Sequence, residues 1–327
     1  MRSIETQQTF PLSSVKPLEG LISYREHCLN ATRQALRRAS RRRNVSPVDG
    51  TPLERLEGLP DVPYARSPST GSLFLAELPD PSGWADVLAE VAAYRHSPQA
   101  FHEGLTQSRA DHVYTPKLEW IRDTLRLQGI ERPRIFDVAT APSPFTNFLR
   151  QSELFAAVIT VDEMALAHGA SLRRRAESQI PEGVEAAVLL ESLDRVDEPV
   201  ALMTNVVQRL APGGVVFVTA LVASGFDIAT LGLRNLYVYP PDRTNCFSLP
   251  DLIRLLTQSG LTLLEVSTPG VLDVDIVRAH VARDPSIRLS GFERRILETD
   301  AQTQAAFQRF LQQQKLSSFT RIVGRKP

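Results

Sequence analysis

The sequence predicts an α/β protein whose chemistry-bearing part is a Rossmann-like, mostly parallel sheet with an antiparallel last strand. Three observations predict it. After Pro133, short apolar runs alternate with stretches at helical spacing, the pattern of parallel strands joined by crossover helices. Leu210-Ala211-Pro212-Gly213-Gly214 stands directly before a β-branched run, a turn feeding a strand. Arg134–Val138 leads through Ala139-Thr140-Ala141-Pro142-Ser143-Pro144 into a helix, the order of a nucleotide-side loop but without glycines.

Residues 1–44 read as an N-terminal arm with one candidate helix, Ile22 to Arg43, whose end carries Arg33, Arg37, Arg38, Arg41, Arg42 and Arg43. That end is either a patch for phosphate or an anionic surface, or a solvated helix face or mobile arm. Arginines at a helix C-terminus suit its dipole and no aromatics interleave them, which favours the second reading. Residues 45–82 are rich in Pro, Gly and Ser and contain a small repeat. Ser46-Pro47-Val48-Asp49-Gly50 recurs as Ser67-Pro68-Ser69-Thr70-Gly71. Each resembles a zinc knuckle, Cys-Pro-x-Cys-Gly, with both cysteines replaced. Ser, Asp, Ser and Thr make a poor tetrahedral set, so the expectation is a zinc-ribbon-like module without metal. Two unrelated Ser-Pro turns would explain the repeat equally well. Gly71–Leu75 reads as a strand of this module.

Residues 83–133 form a helical region, with Trp84, Val87, Leu88, Val91 and Ala92, and then Leu118, Ile121, Leu125 and Leu127, at helical spacing. His96, His102 and His112 fall here. Their spacing matches no metal-binding helix face, so surface or capping roles are expected. Over 134–327 the predicted strands are Arg134–Val138, Ala156–Val161, Ala186–Leu190, Val215–Leu221, Leu261–Val266 and Phe319–Val323. The helices between them are predicted near 144–151, 165–178, 199–210 and 249–259. A helical insertion at about 278–316 would either cover the substrate side or mediate a homodimer.

Of the 327 residues, 37 are Lys or Arg and 37 Asp or Glu, so no net field favours nucleic acid or an acidic membrane. Cys28 and Cys246 are far apart and lack metal-site spacing, so a reducing, cytoplasmic setting is expected. No apolar run is long enough to span a bilayer.

In sheets of this kind ligands bind beyond the carboxyl ends of the strands, which directs attention to the loops after the first three. Asp162 follows the second strand, 25 residues after Asp137, where an acid can accept both hydroxyls of a ribose. The alternative is that it caps the next helix; the surrounding pattern favours the ribose. Ser143 is a good N-cap and Pro144 suits the first helical position, so the glycine-free turn is rigid. A dinucleotide is disfavoured, because its pyrophosphate requires a glycine cradle.

The segments Ile135–Val138, Asp162, Glu191–Pro199, Leu210–Gly214 and Pro240–Ser248 together resemble the class I S-adenosylmethionine-dependent methyltransferases, in the bacterial subgroup acting on small molecules and sugars. In that group a small zinc ribbon often precedes the domain. The resemblance implies S-adenosylmethionine as cofactor, a small-molecule acceptor of anionic or glycosyl type, and a binding wall of Asp137, Ala139, Thr140, Ala141, Ser143, Asp162, Glu163, Leu190, Glu191 and Ser192. Two positions depart from the family pattern. Asp194-Arg195 stands where Glu-His is usual, and Arg243 where a histidine follows the Pro-Pro pair. Arginine stays protonated and cannot act as base, so Arg195 and Arg243 either anchor an anionic substrate or form salt bridges with Asp194, Asp197 or Asp242. The candidate bases are Asp194, Tyr239 and Glu191. The loss of ribbon ligands, loop glycines and both histidines also admits a second function, a methyltransferase fold kept as a binding or assembly module.

Overall fold

The computed structural model describes residues 12–14, 18–57, 59, 61–95, 106–169 and 181–327. Helix α1 (Leu18–Arg38) precedes five short strands, β1 (Arg41–Arg42), β2 (Glu54–Leu56), β3 (Tyr64–Arg66), β4 (Leu73–Leu75) and β5 (Glu77–Leu78), and then α2 (Pro81–Arg95). Helix α3 (Thr106–Arg109) passes through a π-helical turn at Ala110–Tyr114 into α4 (Thr115–Leu127). Strands and helices then alternate: β6 (Arg134–Val138), α5 (Pro144–Gln151), β7 (Ala157–Val161), α6 (Glu163–His168), β8 (Val184–Leu190), α7 (Ser192–Arg195), α8 (Pro199–Arg209) and β9 (Leu210–Leu221). The chain continues through α9 (Phe226–Leu231), β10 (Asn245–Cys246), α10 (Leu249–Gln258) and β11 (Thr262–Ser267). It ends in α11 (Asp273–Arg283), α12 (Gly291–Leu297), α13 (Ala301–Gln313) and β12 (Phe319–Arg325).

Six of these strands form the main sheet, in the order β11-β12-β9-β8-β6-β7. Neighbours are parallel except around β12, which runs antiparallel between β9 and β11. The chain builds outward from β6 to β7 and then returns to place β8 on the other side. The carboxyl end of β6 is therefore the switch point where such sheets open a crevice. Local chemistry sets this junction. Ser143 and Thr146 form a reciprocal capping box, and Pro144 opens α5. Phe145 and Leu149 of α5 then bury against one face of the sheet with Ile135, Phe217 and Trp120.

The N-terminal third is not a separate body. Strand β4 pairs with β10, so a four-stranded sheet (β10-β4-β3-β2) joins residues 54–75 to the second half of the chain. Tyr24, Tyr64, Phe74 and Trp84 share one core cluster with Phe136, Val218 and Phe247. The two Ser-Pro turns have matching backbones: Gly50 N–H donates to Ser46 O and Gly71 N–H to Ser67 O, with φ of 71° and 78° at the glycines. Both turns reach α10. Arg254 donates to Asp49 (2.9 Å), while Thr70 and Ser72 both donate to the Asp251 carboxylate (2.5 Å).

The basic helix ends at Arg38, five residues before its expected end; Arg37, Arg38 and Arg42 are exposed, whereas Arg41 and Arg43 are tied to distant partners. Arg41 pairs with Asp197 (2.8 Å) and Glu198 (2.9 Å), and buried Arg43 donates to Asn245 (2.7 Å). Helical periodicity could not reveal this, because the partners lie more than 150 residues away. Residues 170–180, the end of the helix predicted at 165–178, lie outside the described residues, as do His96 and His102. No helix among the described residues is long and apolar enough to cross a membrane.

Close backbone contact predicts a sharp contrast between two glycines. A Cβ on Gly225 would sit 2.2 Å from Ser318 Cα, whereas Gly291 has open space. Gly225→Ala should lose at least roughly 1–3 kcal/mol by overpacking, and Gly291→Ala should stay within about 0.5 kcal/mol of the parent. Urea unfolding of the two variants checks the ranking.

Candidate active site

A cavity of about 540 Å³ opens over the carboxyl ends of β6, β8 and β9. Ala139, Thr140, Ala141 and Ser143 line its floor. None of residues 139–144 has a positive φ, so this turn does not require the backbone freedom of glycine. Ala139 N–H donates to Val161 O (2.9 Å), tying the loop to β7. Its small side chains leave the space above it open. Asp137 ends β6 with a buried carboxylate that accepts from Thr146 Oγ1, and burial pushes its pKa up.

The acids after β7 serve the loop from behind. Asp162 is exposed, caps α6 through Ala165 N–H (2.8 Å) and is not among the residues lining the cavity. Glu163 is fully buried behind the wall. It accepts from Thr140 Oγ1 (2.6 Å) and lies 3.8 Å from Arg195, and burial pushes its pKa up to about 7 against both partners. On the β8 side Leu190 and Glu191 line the cavity. Glu191 adopts a left-handed φ of 62°, which turns the chain sharply into α7. Ser192 is buried and donates to Val138 O (2.6 Å), fastening α7 to β6; it is not on the cavity wall.

The four residues expected to do chemistry divide in two. Arg195, Tyr239 and Arg243 reach the cavity; Asp194 does not. Asp194 is sealed in, accepting from Leu221 N–H (3.2 Å) with Arg243 at 3.5 Å. Burial pushes it up to about 7, a base-like value on a group no substrate in the cavity can touch. Burial also opposes charge on Glu191, but Arg243 at 2.8 Å, with Lys117 and Arg195, outweighs it and holds the carboxyl far below its usual range. Tyr239 donates to Asp242 (3.3 Å) and is pushed up by burial and that carboxylate, so it remains protonated.

Neither arginine is a free anion anchor, nor are their pairs surface ones. Arg195 lies between Glu163 (3.8 Å) and Asp242 (3.7 Å), while Arg243 lies between Glu191 and Asp194. Arg95 of α2 completes the array, pairing with Asp242 and donating to Tyr24 Oη (2.8 Å). Arg95, Asp242 and Tyr237 escaped the sequence reading as site residues. A charge ending an apolar helix, as Arg95 ends the Trp84–Ala92 pattern, was the available signal. His112, expected in a surface or capping role, is half-buried and lines the cavity.

The raised carboxylates have a measurable consequence. Between the ordinary carboxylate pKa of ~4 and about 7, folded Glu163 and Asp194 hold protons that the unfolded chain has released. Each therefore lowers stability as pH rises through that window, by at most about 1.4 kcal/mol per pH unit. Glu191, Asp197 and Asp242, with lowered pKa, act oppositely; their contribution is complete above the usual carboxylate range and is lost as pH falls through it. Urea unfolding of Glu163→Gln between pH 5.5 and 7 should show a flatter decline than the parent. Equal slopes would contradict the assignment.

Comparison with known proteins agrees with the geometry. Residues 108–266 match a family model described as a methyltransferase domain. No curated protein sequence matches the chain. Among solved structures it is similar to the Burkholderia thailandensis 1,6-didemethyltoxoflavin-N1-methyltransferase, at 13% identity and TM-score 0.42, with 84% of this chain and 99% of that one covered. It is also similar to an N-methyltransferase from Bradyrhizobium japonicum, at 13% identity and TM-score 0.36, covering 67% and 91%. An O-methyltransferase family protein from Burkholderia thailandensis aligns at 11% identity and TM-score 0.40, covering 73% and 63%. Such distant likenesses add nothing to the family match. The segment that matches the methyltransferase-domain model takes in β6 to β9 and the loop after β6, so the likeness falls on the part of the chain that floors the cavity.

Proposed function

We propose that this protein methylates a small-molecule acceptor, with S-adenosylmethionine and acceptor sharing the one cavity. The observation that carries the reading is the open floor formed by Ala139–Ser143 at the sheet's switch point. The residues present fit a cationic, phosphate-free cofactor. The floor has small side chains, the carboxylates Asp137, Glu191 and Asp242 border the space, and about 540 Å³ falls within the usual range for ligand sites. Asp137, the Ala139–Ser143 floor and Leu190–Glu191 would hold it. When bound it supplies an electrophilic methyl group on sulfur.

The chain's own residues bind and orient. Arg95, Asp242, Tyr239 and Arg243 hold one another in place through buried pairs, giving a rigid wall opposite the floor. Leu21, Leu88 and Val91 from α1 and α2 add an apolar cover that excludes water. No candidate base serves. Tyr239 keeps its proton, Glu191 is ionised and paired, and Asp194 is out of reach. The site therefore suits an acceptor that arrives as a nucleophile, such as an amine with a free lone pair or an anionic oxygen or sulfur. Its contribution to rate is proximity and alignment.

Calorimetric titration with S-adenosylmethionine tests this reading. The parent should bind with a Kd in the range of roughly 1 μM to 1 mM. Ala141→Phe, which fills the floor, should weaken binding at least about tenfold, a loss of ~1.4 kcal/mol, with an unchanged circular dichroism spectrum. No heat at millimolar cofactor would overturn the proposal.

A further inference from the structure

Arg321 is among the cations of the cavity wall that lie outside the array around Arg95, Arg195 and Arg243. Arg321 lies on β12, two residues after Phe319, so both side chains leave the same face of the strand. Both line the cavity, as does Lys117 of α4. The Arg321 guanidinium lies over the Trp120 ring (5.2 Å to the centroid) and over the Phe319 ring (5.8 Å). Lys117 Nζ lies over the same Phe319 ring, also at 5.8 Å. Two cations thus lie over one aromatic ring in the cavity lining.

Arg321 differs from the other arginines in its partners. Among the described residues no hydrogen bond leaves its guanidinium and no carboxylate oxygen lies within 4 Å of it. Its Nε is buried without a hydrogen-bond partner, as are those of Arg195 and Arg243, but the terminal nitrogens of those two donate to Leu190 O and to Glu191. The nearest acid in charge terms is Glu265, whose two oxygens already accept from Trp120 Nε1 (3.2 Å) and Ser267 Oγ (2.8 Å). An arginine stacked on rings is held in one orientation with its planar fork of donors available. Arg321 also borders a smaller cavity on the Trp120 side, but Lys117 and Phe319 face only the larger one. The larger cavity is where a second cation can share an anion.

We infer that Arg321, with Lys117 over the same Phe319 ring, is the subsite for an oxyanion on the acceptor, a carboxylate or a phosphate monoester. This adds a third candidate anchor to Arg195 and Arg243, each of which already has carboxylates within 4 Å. Bidentate pairing to Arg321 would satisfy the donors that the protein leaves open. The inference rests on the methyltransferase reading for the word acceptor, but the subsite itself can be tested without turnover.

The test is titration of the full chain with benzoate, phenyl phosphate and neutral benzamide, in parallel with S-adenosylmethionine. Benzoate or phenyl phosphate should bind and benzamide should not, and the stronger of the two anions identifies the oxyanion. Arg321→Met keeps an apolar chain over the rings and should weaken anion binding by roughly tenfold or more while leaving cofactor binding unchanged. Glu265→Gln, which removes the nearby negative charge, should tighten the same anion about threefold. It provides a second arm if Arg321→Met does not fold. Anion binding that is absent from the parent, or indifferent to both substitutions, overturns the inference. Loss of cofactor binding in the parent overturns the methyltransferase reading alone, since Arg321-dependent anion binding would still establish the subsite.

Discussion

The site depends on a buried array of charge. Three guanidinium groups, from Arg95, Arg195 and Arg243, interleave with four carboxylates, from Glu163, Glu191, Asp194 and Asp242. These seven residues come from α2, α6, α7, the turn after β8 and the segment before β10. Desolvating them is costly, and only mutual pairing offsets it. Removing one member would leave a neighbour buried and uncompensated, so the array behaves as a unit. That unit decides which parts of the chain meet at the end of the sheet.

Its first consequence is that the N-terminal third is part of the site. Arg95 reaches Asp242 only because α2 packs on α1 and both lie against the second half of the chain. The β4–β10 pairing and the Arg41 and Arg43 contacts hold that arrangement. Residues 45–82 are thereby a brace as well as a module. Their paired turns dock on Asp251 and Arg254, one helical turn apart on α10.

The second consequence is electrostatic. Arginines at the two positions where the family carries histidines do not replace the histidine chemistry. They are consumed in holding Glu191 ionised, Asp194 buried and Asp242 fixed. A wall of buried ion pairs is a rigid binding surface with little proton-transfer capacity. That favours positioning over base catalysis and leaves recognition of a charged substrate to cations outside the array.

Much of the fold was legible because it follows from local rules. Periodicity located the strands of the main sheet to within a few residues. Ser143 and Pro144 announced the start of α5, and Pro212-Gly213-Gly214 the turn inside β9. The glycine-free loop was also legible as a rigid strand–turn–helix junction, since capping chemistry is written in adjacent residues. What the sequence could not decide were the meetings at long range. Whether Asp162 caps a helix or faces a ligand, whether Arg243 is free or paired, and whether Arg95 belongs to the site all turn on partners tens to hundreds of residues away. The strand–helix order was determined by the sequence alone. The tertiary structure decided which charges are neutralised and which face the cavity, because burial and pairing depend on the packed neighbours and not on spacing along the chain.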